Sequence, residues 1–353
     1  NTIEENVLDI RDSTFVINLR SPTQNQDFIV NLTPPGNPGI ANLLQFVNSD
    51  IRIINNGTMN FINTTNNIDT LMRFDNCNCT ISNLLQIVAN NANTCIGATS
   101  SIINMKELFI DPSSAFLNTI LNLNTTDLRT EVIQCTLNSS VTGTFLMMNN
   151  NNLQINQANL ENFTNQAIQL NNVNFEINEL TLSNANIGIQ LTESKGDLIN
   201  LNMSNIGSTG LTCTSSSVTL KGNNSIIESC GNSAIIASDS HVSLNGVEGT
   251  NLIVRNNIVG SGRGILAENS TLYLQYVTMQ NNSASNIDIT NCRLYTNVVN
   301  LSDSLYGIRG LSSNIHINSA FGLGNVSNIE NNQYGIYVEN CQLSIERIPN
   351  EAN

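Results

Sequence analysis

The stretch Ile336-Tyr-Val-Glu-Asn-Cys-Gln-Leu-Ser-Ile345 decides how the chain is read. Apolar residues stand at its positions 1, 3, 8 and 10, and the small polar pair Asn340-Cys341 lies between the two alternating halves. Alternation of period two marks a strand with one face turned inward. Asn between two such strands suits a corner, because it tolerates the left-handed backbone region. The ten residues read as strand, corner, strand.

Working outward from this stretch, the same unit recurs through the chain. Its first apolar position is Leu44, Met72, Ile96, Leu121, Leu146, Ile168, Ile189, Leu211, Ile235, Ile265, Ile287, Ile308 and Ile336, thirteen coils spaced 21 to 30 residues apart. A third alternating segment closes most coils, as in Leu180-Thr-Leu182, Leu252-Ile-Val254 and Val277-Thr-Met279. Gly or Ala before the first strand, as at Gly188 or Ala234, suits a tight corner. Position 5 carries Asn48, Asn76, Asn150, Asn172, Asn269, Asn291 and Asn340, which predicts a structural ladder of asparagines bonded from coil to coil. In the seventh coil Glu193 takes that place, and Lys195-Gly196 reads as an insertion that breaks the frame.

The expected fold is therefore all-β: a right-handed, single-stranded parallel β-helix of about thirteen coils with three short strands each. A leucine-rich repeat fits less well, because helical return segments are absent, and no six-residue period supports a left-handed helix. Residues 41–353 form the repeat, open at its C-terminal end. Residues 1–40 form an N-terminal capping segment, with strands at 15–19 and 28–32 and a proline-rich turn at 34–39.

The Gly-Ile-x-Val plus Asn-turn pattern, as in Gly335-Ile-Tyr-Val338, resembles that of the right-handed parallel β-helix, pectin-lyase-like superfamily, over residues 41–353. That resemblance implies the fold and directs attention to polysaccharides. Lyases of this kind cluster acids around calcium beside a basic residue, and hydrolases pair acids on one outer face. None of the Asp-Asp, Gly-His-Gly or Asn-Thr-Asp signatures of the pectin hydrolases occurs, so no catalytic residue is carried over.

Composition narrows the function. Asn supplies 65 of 353 residues, charged residues only 11%, and the net charge is −14. With 3 Lys, 10 Arg and no basic cluster, phosphate neutralisation is disfavoured, so no nucleic acid is expected as a partner. No apolar run reaches the ~18 residues of a membrane helix, so no direct membrane insertion is expected. The chain begins at Asn1 without Met or a hydrophobic leader, which reads as a mature form or a fragment. Sequons number thirteen, about what chance gives for this Asn, Ser and Thr content, and carry no argument for glycosylation.

With two histidines and no CxxC pair, no metal site is expected, and no cofactor. Cys77, Cys292 and Cys341 share one turn position but in coils too far apart for a disulfide. The eight cysteines read as free buried thiols acting as small apolar fillers.

Two outward features remain. Tyr273, Tyr295 and His316 hold position 9 of consecutive coils, a row that could dock sugar rings or stabilise the sheet as an aromatic ladder. Asp288 and Arg309 are neighbours at position 2, read as an acid–base pair or as a surface ion pair. These five are the candidate glycan-binding residues. Loops at 246–263 and 319–333 lengthen the coil spacing and are expected to bulge.

The expected function is a non-catalytic, extracellular or surface-exposed rod with a structural or adhesive role, secreted or on a cell or virion surface. Its expected partners are carbohydrate or neighbouring subunits of a fibre or surface layer, as a homo-oligomer or within a longer chain. The alternative is a polysaccharide lyase, depolymerase or glycan-binding β-helix.

Overall fold

The computed structural model describes residues 8–19, 28–32, 40–55, 58–63, 68–89, 92–114, 116–141, 143–257, 262–319 and 326–347. Among them every regular element is a strand. All strand pairings among the described residues are parallel, apart from one isolated bridge between Val247 and Thr250. The chain is a parallel β-solenoid divided into two compact units, residues 1–177 and 178–353. The proline-rich turn at 34–39 and part of each loop at 246–263 and 319–333 lie outside the described residues.

In the first unit, Leu44, Met72, Ile96, Leu121 and Leu146 face one another in successive coils. Residues ahead of Leu44 repeat the construction. The strands Leu8–Arg11, Thr14–Leu19 and Phe28–Leu32 pair with Ile40–Val47, Asp50–Asn55 and Thr58–Asn63, and Leu8 stands opposite Leu44. The segment expected to cap the repeat thus contains a further coil in the same frame. Inward positions hold large side chains here, and Phe46 stacks on Phe74 with ring centroids 5.2 Å apart.

In the second unit, Ile189, Leu211, Ile235, Ile265, Ile287, Ile308 and Ile336 are successive register partners. The first six are fully buried, each contributing about 1.5–3 kcal/mol of apolar transfer. The seventh coil keeps the frame, contrary to the insertion expected at Lys195-Gly196. Lys195 to Ile199 stand opposite Ser217 to Lys221 without a shift, so Gly196 occupies an inward position opposite Val218. A missing side chain, not an added residue, interrupts the apolar pattern.

The corner lies at position 5 in every coil. Asp12, Asn48, Asn76, Ser100, Thr125, Asn150, Asn172, Glu193, Ser215, Asp239, Asn269, Asn291, Ser312 and Asn340 all have φ from 49° to 57°. Residues other than Gly pay roughly 1–2 kcal/mol in this region. The Gly before the first strand has another reason. A Cβ on Gly188 would stand 2.4 Å from the Gly210 carbonyl oxygen, and one on Gly264 2.5 Å from that of Asn286. Close backbone approach between coils, rather than a turn, selects glycine there.

Hydrogen bonds offset the strain of the corner. The position 5 N–H donates to the position 4 carbonyl of the following coil, as from Asn48 to Asp75 at 2.9 Å and Glu193 to Thr214 at 2.9 Å. The position 6 N–H donates to a side chain in the following coil: Cys77 to Ser101 Oγ, Ser194 to Ser216 Oγ, Ser216 to Ser240 Oγ, and Ser240 to Ser270 Oγ, at 3.0–3.1 Å. Each of these hydroxyls then donates to the carbonyl two residues earlier in its own coil. A buried ladder of small hydroxyls therefore satisfies a backbone group that the corner would leave unpaired.

Cysteines take part in it. The Ser270 N–H donates to Cys292 Sγ at 3.4 Å, the Cys292 N–H to Ser313 Oγ at 3.0 Å, and the Ser313 N–H to Cys341 Sγ at 3.3 Å. All eight cysteines are free thiols. Cys77, Cys292 and Cys341 stand in for serine in the ladder, which corrects their reading as apolar fillers. Cys79, Cys95, Cys135, Cys213 and Cys230 are fully buried.

Candidate functional site

The outward side chains of the second strand line the grooves that matter. In the second unit these strands are His241–Asn245, Thr271–Gln280, Arg293–Ser302 and Asn314–Ser319, stacked in parallel register. Alternation turns positions 9 and 11 outward together. Position 9 presents Ser243, Tyr273, Tyr295 and His316, and position 11 presents Asn245, Gln275, Asn297 and Asn318. A row of rings thus runs beside a row of amides.

The rings form one stack. Tyr273 and Tyr295 lie 4.9 Å apart with planes 9° from parallel, and Tyr295 and His316 lie 5.1 Å apart at 5°. His241, at position 7 of its coil, leans onto Tyr273 from the other side at 5.1 Å and 42°. Both histidines of the chain are therefore the end members of one four-ring stack. Such contacts contribute about 0.5–1.5 kcal/mol each beyond area burial. Stacking also has a consequence for binding: Tyr295 has a ring against each face, so it offers solvent its edge and hydroxyl. The outer face of His316 is less crowded, because its register partner in the next coil is Ser344.

Beside the stack runs an open groove of about 520 Å³, lined by His241, Ser243, Asn245, Tyr273, Tyr295 and Asn318, among others. Thr296 and Asn297 also border it. Asn297 Oδ1 is a shielded acceptor with no hydrogen-bond partner among the described residues.

Asp288 and Arg309 belong elsewhere. They sit on the first strands, Ser285–Thr290 and Tyr306–Leu311, across the position 5 corner from the rings. Asp288 accepts from Arg263 Nε at 2.8 Å and from Arg309 Nη1 at 3.3 Å through the same Oδ2, and its side chain is 7% exposed. One carboxylate held between two guanidiniums is a structural ion-pair hub. The structure therefore does not gather the five candidate residues into one site.

The asparagines expected as a ladder share the corner backbone but differ in side-chain links. Asn76 Nδ2 donates to Asn48 Oδ1, and Asn172 Nδ2 to Asn150 Oδ1, each at 2.8 Å. Asn269, Asn291 and Asn340 make no such link among the described residues. A buried amide network stands at a different corner of the second unit. Asn257 Oδ1 accepts from the Cys230 N–H at 2.8 Å, Asn257 Nδ2 donates to Asn282 Oδ1 at 2.7 Å, and Asn282 Nδ2 donates to Asn286 Oδ1 at 2.7 Å. All three amides are 0% exposed.

In the first unit the same outward positions form a second groove of about 450 Å³, with Thr80, Asn104, Arg129 and Gln154 at position 9 and Ser82, Lys106, Glu131 and Asn156 at position 11. Lys106 and Arg129 make no ion pair among the described residues. Tabulating positions 9 and 11 for every coil would have exposed this groove in the sequence. Among the described residues, no group of three His, Cys, Asp or Glu side chains is placed to hold a metal ion. Compared with known proteins, the chain matches no family model, no curated protein and no solved structure.

Proposed function

We propose that this chain is a non-catalytic, surface-exposed β-solenoid with a structural and adhesive role, and that the groove beside the Tyr295 stack is its contact for carbohydrate. The observation carrying this reading is the lining: phenolic and imidazole ring edges on one side, and the amides of Asn245, Asn297 and Asn318 on the other. Sugars expose hydroxyls that donate and accept together, and amides answer both roles. Asn297 borders the groove and carries one of these amides. Because Tyr295 is covered on both faces, sugar contact falls on ring edges, phenolic hydroxyls and the outer face of His316. Secretion or display on a cell or virion surface belongs to the same reading. So does kinship with the pectin-lyase-like β-helices, which the coil frame supports.

The test is a panel of neutral and acidic glycans, scored for binding and for newly formed reducing or unsaturated ends. The reading expects binding without turnover, weakened about tenfold or more by Asn297→Ala and by Tyr295→Ala. Absence of binding across the panel, or unchanged binding by both variants, contradicts it.

A depolymerase is the second reading, favoured by Lys106, Arg129 and Glu131 gathered in the first-unit groove, since two cations and an acid are the elements of proton abstraction from a sugar ring. Turnover abolished by Lys106→Ala or Glu131→Gln would establish it over the first.

A further inference from the structure

Position 11 of the second strand changes character along the second unit. It reads Lys221, Asn245, Gln275, Asn297, Asn318 and Glu346, each the register partner of the next. Four uncharged amides in consecutive coils thus lie between two charged positions, and Lys221 is itself tied to Asp197 at 2.7 Å. The four amides are not bonded to one another among the described residues, unlike Asn48 and Asn76 at the corner. Ser243 Oγ instead donates to Asn245 Oδ1 at 3.0 Å, and Asn297, whose Oδ1 is shielded, keeps its amide nitrogen as a donor. All four border the groove beside the aromatic rings.

We infer that this groove takes a linear, uncharged polysaccharide lying along the coil stack, one sugar to each coil from His241 to Asn318. This ligand class presupposes the glycan-binding reading of the same groove. Neighbouring coils repeat every ~4.8 Å, and an extended chain of β-1,4-linked pyranoses advances by about that step per sugar. A chain laid along the groove therefore brings the hydroxyls of one sugar to each amide in turn, whereas a chain laid across it meets a single coil. Amides donate and accept together, as sugar hydroxyls do.

Charge selects a neutral chain. Across positions 7, 9 and 11 of these four coils, Arg293 is the one side chain with a fixed charge, and it stands on the far side of the ring row from the amides. A carboxylate on every sugar would meet a cation at one coil and lose hydration without compensation at the others. The net charge of −14 sets a further field against a polyanion.

Calorimetric titration of the full chain tests this, with β-1,4-linked oligosaccharides of glucose, mannose and xylose from two to eight sugars long and a glucuronate series beside them. Affinity for at least one neutral series is expected to climb to four sugars and then level off, with the glucuronate tetramer at least tenfold weaker. Asn318→Ala removes an end contact, so the neutral tetramer loses about three- to tenfold, while the dimer, free to settle on the other coils, is unchanged. Gln275→Ala, inside the row, weakens the tetramer by a like factor. Both side chains face outward, so neither change touches the core. Affinity that levels off at two sugars or never levels off, equal or tighter binding of glucuronate, or a tetramer indifferent to both variants overturns the inference and leaves the glycan-binding reading in place. Absence of binding by every neutral series overturns it as well, and the wider glycan panel then decides the broader reading.

Discussion

Cys292 accepts the Ser270 N–H through its sulfur, in the place where Ser313 accepts the Cys292 N–H through its hydroxyl. The site asks for a small group that donates to its own strand and accepts from the preceding coil, and a thiol performs both roles weakly. Cys292→Ser is therefore expected to hold or raise stability by up to about 1 kcal/mol. Cys292→Val, similar in size but unable to accept, leaves the Ser270 amide unpaired and costs about 1–3 kcal/mol. Urea denaturation of the two variants checks the contrast. Were the sulfur only filling space, Val would be the better tolerated.

The buried thiols set a pH dependence. Desolvation raises Cys213 and Cys230 from the ordinary 9.0 to about 12. Above pH 9 the unfolded chain loses these protons while the folded chain keeps them, so unfolding is favoured. Stability from this source is complete below pH 9 and declines toward pH 12, by about 1.4 kcal/mol per pH unit for each thiol. Denaturation midpoints between pH 7 and 11 should be flat and then fall. Native-state alkylation at pH 8 should spare both residues and reach Cys341, the only one of the eight cysteines that is not buried.

Removing Asn282 should be costly. Its amide joins Asn257 and Asn286 inside the second unit, and truncation strands polar groups on both. Asn282→Ala is expected to lose about 2–4 kcal/mol. Asn291→Ala, at an exposed corner, should lose only about 1–2 kcal/mol from left-handed strain. Thermal melts of the pair would show the order, and an equal loss would argue against the buried network.

Thr296 offers a gain. It stands between Leu274 and Ile317 in register, 2% exposed, with a hydroxyl that has no partner among the described residues. Thr296→Val keeps the shape and removes the unpaired group, for an expected stabilisation of about 1 kcal/mol. A lower denaturation midpoint would mean that the hydroxyl has a partner in solution.

How much of this was legible in the sequence follows from which positions carry contrast. Inward positions 1, 3, 8 and 10 are apolar between polar neighbours, so the periodicity lines up Ile265, Ile287 and Ile308, which prove to be register partners. The seventh coil misled because Gly196 removed an apolar signal without adding a residue. Cys292 read as an apolar filler and Ser240 gave no signal, since nothing in a small side chain tells whether its hydroxyl or thiol takes part in hydrogen bonds. Asn257 and Asn282 were invisible for a different reason: in a chain with 65 asparagines, two buried ones do not stand out. The row from Tyr273 to His316 was readable from spacing, but its face-to-face geometry, which closes Tyr295 to stacking by a sugar, required coordinates. Asp288 and Arg309 were correctly adjacent, yet Arg263, two residues before its coil's first position, completes the hub and gave no periodic signal.

The central claim is parallel, in-register stacking of coils, and an engineered disulfide tests it most directly. Thr219 and Ser243 are register partners on outward positions. One coil step of about 4.8 Å lies within disulfide reach, whereas a partner two residues along the strand, near 8 Å, does not. In a Cys341→Ser background, Thr219→Cys with Ser243→Cys should form a bond on mild oxidation, seen as loss of two free thiols by mass spectrometry. Thr219→Cys with Asn245→Cys should remain reduced under the same conditions. Bond formation by the 219/245 pair, or by neither pair, would contradict the stacking described.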